Sequence, residues 1–118
     1  MEGDLERLLA SDLPDAFVIF EAKGSGKFVQ FAGSQREGLL FDLPKVALTA
    51  KELERSRRLF ASVGAEIPGS PEANFDSEVS FQCPFERNTR GAVDLALRVF
   101  LEVYGLPKDF SLEAQLNV

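Results

Sequence analysis

Three short segments rich in β-branched and aromatic residues follow one another early in the chain: AFVIFEA (16–22), KFVQFAG (27–33) and GLLFDLP (38–44). Each is too short for a well-nucleated helix. Glycine and serine sit in both connections, so the chain must double back twice. An antiparallel meander is the only arrangement that links such segments so tightly. The middle segment alternates, with Phe28, Gln30 and Ala32 pointing one way and Val29 and Phe31 the other.

The first connection contains GSGK, which invites a phosphate-loop reading. That loop requires a glycine five residues before Gly26 and a Ser or Thr after the lysine. Glu21 and Phe28 stand there instead. The dinucleotide pattern fails as well, because Val29 occupies the position of its third glycine. A strand comes next rather than a helix, so no helix amino-terminus is offered to an anion. The stretch reads as a hairpin turn in which Gly24 and Gly26 supply positive φ.

Beyond the meander the periodicity becomes helical. LTAKELERSRRLFASVG opens on a capping box, Thr49 with Glu52. Leu53, Phe60 and Val63 share one face, and Gly64 is the expected stop. Lys51, Arg55, Arg57 and Arg58 form a basic run, but Glu54 precedes Arg58 by four residues, the spacing of a solvated helix-face pair. The stretch AEIPGSPEANFDS is a turn-rich connection. SEVSFQCPFE alternates through Val79, Phe81 and Cys83 and predicts a further strand or a short bent pair. The last helix starts at Asn88 or Thr89 and ends at Gly105 and Pro107. At the other end of the chain, DLERLLASDLP is an amphipathic helix burying Leu5, Leu8 and Leu9.

That last helix is apolar almost all round. Ala92, Leu95, Ala96, Val99, Phe100 and Val103 line one broad face, and Val93, Leu97, Leu101 and Tyr104 widen it. Such a helix needs cover on more than one side. Either a second subunit supplies it, through Val93, Leu97, Val99, Phe100 and Tyr104, or the first helix and the tail DFSLEAQL do.

Composition removes several function classes. The 118 residues suit one domain, 1–118, and 45% hydrophobic content with eleven Phe fills one core. There is no His and a single Cys, so the usual general base and the usual zinc ligands are missing. The carboxylate pairs Asp12 with Asp15 and Asp76 with Glu78 lack the further oxygens that a cation needs. Cys83 lies among Phe81, Pro84 and Phe85, with no base to activate it, and reads as a small hydrophobe. No metal, cofactor or catalytic residue is therefore expected. A net charge of −6 disfavours nucleic acid and anionic membranes, and the acidic start lacks the pattern of a signal peptide, so a cytoplasmic location is expected.

The fold class is α+β: an antiparallel meander sheet with flanking helices, in the order α-β-β-β-α-β(β)-α. In a short acidic chain this order resembles the type III secretion chaperone and YbjN-like superfamily of bacterial proteins. KFVQFAG is similar to the strand that such proteins carry in the same place. The resemblance implies a non-enzymatic homodimer, chaperone-like or regulatory, whose partners are peptide segments of other proteins. Phe28, Gln30, Ala32, Leu39 and Phe41 are then the expected client-binding residues on the meander. Two other readings compete: a structural homo-oligomer without a client, and a small-ligand or enzymatic domain working with carboxylates alone.

Overall fold

A computed structural model describes residues 1–66 and 77–118. In chain order the elements are α1 (Glu2–Leu9), β1 (Phe17–Ala22), β2 (Phe28–Ser34), β3 (Gly38–Pro44), α2 (Ala50–Glu66), β4 (Ser80–Glu86), α3 (Thr89–Arg98) and β5 (Leu112–Asn117). The strands form one antiparallel sheet in the order β4-β3-β2-β1-β5. The fold is α+β, as expected. The turn-rich stretch with Pro68, Gly69, Ser70 and Pro71 lies outside the described residues, as does Asp76.

GSGK is a turn. Gly24 and Gly26 both have φ of +73°, the Ala22 amide donates to the Lys27 carbonyl, and the Ser25 hydroxyl donates back to the Ala22 carbonyl at 2.7 Å. The next hairpin is tight enough to demand a glycine: a Cβ on Gly33 would stand 2.3 Å from the Gly38 carbonyl oxygen.

The core lies on one face of the sheet. Val18, Phe20, Val29, Phe31, Leu39, Phe41, Leu43, Phe81 and Cys83 point to it and are buried. Phe20, Phe31, Phe41, Phe60 and Phe81 form a continuous aromatic path, with ring centroids 4.9–6.1 Å apart. Phe60 comes from α2, so that helix packs on this face, and Leu5 and Leu8 of α1 join the same cluster.

Several expectations about the elements need correction. The tail is a strand: it zips onto β1 from Phe17↔Asn117 to Ala22↔Leu112. LEAQLN has little β-preference of its own, and pairing with β1 overrides it. Gly64 does not stop α2, which continues to Glu66. Val79 is exposed and only Phe81 and Cys83 of its trio face the core, because β4 begins at Ser80. Finally, the last helix is not α-helical throughout.

Asn88 caps α3, its side-chain oxygen accepting from the Gly91 amide. From Val99 to Val103 the helix widens into a π turn, in which the Tyr104 amide donates to the Val99 carbonyl. One inserted residue rotates the end of the helix by about 100°. Tyr104 thereby reaches the sheet, where its hydroxyl donates to the Phe28 carbonyl at 2.6 Å. Arg55 of α2 donates to the Val103 carbonyl at 3.1 Å, serving an acceptor at the end of that turn.

Val99, Phe100 and Tyr104, expected at a dimer interface, are instead buried within the single chain. The Phe110 ring packs at a tilt against Phe100, their centroids 5.0 Å apart, so part of the tail does cover the helix. Val93 and Leu97 stay half-buried.

Candidate functional site

Because the described helices pack on one side, the other side of the sheet is open. Pairing dictates which residues reach it. In β1 and β2, Phe17 is opposite Ala32, Ile19 opposite Gln30 and Glu21 opposite Phe28. In β2 and β3, Gln30 is opposite Asp42 and Ala32 opposite Leu40. Pro84 and Gln82 of β4 continue the rows.

Phe17, Ile19, Phe28 and Leu40 are half-buried there and Ala32 is exposed. Around them Phe17, Ile19, Gln30, Ala32 and Asp42 line a shallow pocket of about 280 Å³. At its centre the Gln30 side-chain amide donates to Asp42 Oδ2 at 2.7 Å. Asp42 Oδ1 is buried and has no donor. A carboxylate oxygen shielded from water and unpaired is costly until a donor reaches it.

The strands place Glu21, Asp42 and Glu113 on this face and no cation. The surface therefore combines half-covered apolar side chains with negative charge. It suits a guest that carries apolar groups and a positively charged donor.

Of the five residues expected to bind a client, Phe28, Gln30 and Ala32 lie on this face. Leu39 and Phe41 do not: they are buried in the core, 1% and 0% exposed. The reason is register, since Phe41 is the partner of Phe31 and Leu39 that of Gly33. Leu40 and Asp42 take their place, joined by Phe17 and Ile19 from β1. A readable signal marked the correct set. Leu39, Phe41 and Leu43 are all apolar, whereas the other parity of β3 contains Asp42, as the open parity of β2 contains Gln30.

A second polar group ties the hairpin end of this face to the helices. Lys27 Nζ lies 2.7 Å from Glu52 Oε2 and stands over the Tyr104 ring. Glu52 completes the expected capping box: its Oε1 accepts from the Thr49 amide, and Thr49 Oγ1 accepts from the Glu52 amide. Burial pushes the Glu52 carboxyl up, but the Lys27 and Thr49 hydrogen bonds and the Lys27 charge outweigh it and hold the group below its ordinary value. Burial, followed by the Glu52 charge, raises the Tyr104 phenol well above its ordinary value, so Tyr104 remains a donor. Nothing in the GSGK pattern disclosed this role for Lys27, because Glu52 is distant in sequence.

Burial also raises the Cys83 thiol to about 11, leaving it protonated and unreactive at neutral pH. Arg58 pairs with Glu54 at 2.7 Å, the expected helix-face contact. Among the described residues no three potential metal ligands converge, and no helix is long and apolar enough to cross a membrane.

Comparison of the chain with protein-family models, with curated proteins and with solved structures gives no match.

Proposed function

We propose that this chain is a non-enzymatic protein- or peptide-binding module, chaperone-like or regulatory, that receives its client on the open face of the sheet. The observation that carries this reading is the unpaired, buried Oδ1 of Asp42 within a half-apolar pocket. The atom has no donor within the chain, and a client side chain that moves its cover aside supplies one. The client is an amphipathic segment that lays apolar side chains against Phe17, Ile19 and Leu40 and points a lysine or arginine at Asp42. The absence of strand cations there argues against a second copy of the same acidic face as the occupant. Kinship with secretion chaperones and YbjN-like proteins belongs to this reading, although β5 after α3 departs from their order. A cytoplasmic setting suits it too, since the chain's one thiol is free and buried.

Nuclear magnetic resonance titration tests it. The probes are an extended peptide alternating leucine with arginine and a control in which glutamate replaces arginine. The cationic peptide is expected to shift the amides of Ile19, Gln30, Ala32, Leu40 and Asp42, and the control to leave them in place. Shifts confined to α2 and α3, or none with either peptide, would overturn the assignment.

A further inference from the structure

The two edges of the sheet are built differently. Backbone groups alternate between the two sides of a strand, and the Lys45 amide bonded to the Val79 carbonyl sets the phase for β4. Phe81 and Cys83 bond toward β3, and Gln82 and Pro84 face outward. Pro84 removes a donor from that edge, the register slips between Leu39 and Leu40, and Glu86 sits at a φ of 53°. All three discourage a further strand.

β5 has none of these guards. It runs in unbroken register with β1 and contains no proline or lysine. Among the described residues no strand pairs with its outer side. The Lys23 amide donates to the Ser111 carbonyl at 2.8 Å, so residues 111, 113, 115 and 117 bond toward β1. Leu112, Ala114 and Leu116 therefore turn their N–H and C=O groups outward, ready for a ladder.

We propose that this edge binds a second copy of the chain, β5 pairing antiparallel with β5 of the partner about a two-fold axis at Ala114. The strand is self-complementary in that register. On the core side, half-buried Leu112 meets Leu116 of the partner subunit, and exposed Ala114 meets its own copy. On the open side, Ser111 meets Asn117 of the partner subunit and Glu113 meets Gln115 of the partner subunit. Every outward-turned residue then faces another outward-turned residue, as an antiparallel ladder requires. Glu113 is the only charge in the strand, and this register keeps it from its own copy. One sheet would run through both copies, setting their open faces side by side. The inference stands on the edge geometry alone and does not rest on the client reading.

Analytical ultracentrifugation across a concentration series tests it. The wild type should approach twice 13.0 kDa as concentration rises. Ala114 is exposed, so Ala114→Lys and Ala114→Glu should fold normally by circular dichroism. Each places like charges across the axis and should stay at 13.0 kDa. Mixing the two variants should restore the doubled mass, because lysine then faces glutamate. A wild type of single mass throughout would overturn the proposal. So would a doubled mass that survives both substitutions, or a mixture that fails to pair.

Discussion

The two faces of this sheet share the same strands and differ only in parity, yet one is a closed hydrocarbon core and the other a mixed, acidic surface. On the covered face every position of β3 is apolar and inaccessible, with Leu39, Phe41 and Leu43 at 1% exposure or less. One residue along, Leu40 and Asp42 are only partly covered and Asp42 is half of a polar pair. The contrast separates the side that holds the fold together from the side on which a client is proposed to bind. Substitutions should therefore separate them.

The largest effect is expected from Phe31→Ala. Phe31 is fully buried and lies edge-on to both Phe20 and Phe41, so its removal opens a cavity in the middle of the aromatic path. A loss of about 3–5 kcal/mol is expected from urea denaturation. Ile19→Ala, on the other parity, should cost less than half as much. Equal losses would erase the distinction between the faces.

Next is Tyr104→Phe, which tests how the covered side holds the open one. The hydroxyl of Tyr104 reaches from the helical layer to the backbone of Phe28, an open-face residue. Its removal should cost about 1 kcal/mol in denaturation and shift the amide resonances around Phe28. Unchanged stability together with unchanged resonances would show that the π turn does not position this strand.

Glu52→Gln probes the same junction through pH. The folded-state carboxyl lies below the ordinary value of 4.5, so the unfolded chain takes up the proton first. The stability that this shift confers is fully present above 4.5 and is lost as pH falls through the folded-state value. The glutamine variant lacks that titration. Its stability should fall less on acidification than that of the wild type, by about 0.5–1 kcal/mol for a partly exposed partner such as Lys27. Parallel acid-denaturation curves would remove the Lys27–Glu52 pair from the account.

Much of this fold was legible because local chemistry and tertiary packing agree. The glycine turns, the alternation of β2, the capping box at Thr49 and the leucine face of α1 are local signals, and each is where the sequence places it. Non-local pairings were not legible. β5 consists of residues with weak strand preference and exists because β1 offers a free edge. Lys27 meets Glu52 only after the sheet and α2 have packed. The π turn needs one residue more than helical periodicity predicts, and its carbonyl at Val103 is served by Arg55 from another element. The open face fell between these cases. Alternation divided β2 correctly, but assigning its sets and those of β3 to one face required the register of β2 against β3.

The smallest change in stability, and the sharpest test of the comparison, belongs to Asp42→Asn. Asparagine keeps the shape of the side chain and an oxygen that accepts from Gln30, so the pair at 2.7 Å survives. The unpaired carboxylate oxygen is replaced by an amide group, and the charge disappears from the centre of the face. Denaturation should therefore change by less than about 0.5 kcal/mol. Recognition should change much more, because the incoming cation loses its charged acceptor and meets a donor instead. In the peptide titration, the shifts at Ile19, Gln30 and Leu40 should weaken or vanish for the cationic peptide. If they persist at full strength in the variant, apolar contact alone accounts for binding and Asp42 serves only to hold Gln30. If stability collapses while binding is retained, the polar pair is structural and the division of labour between the two faces is wrong.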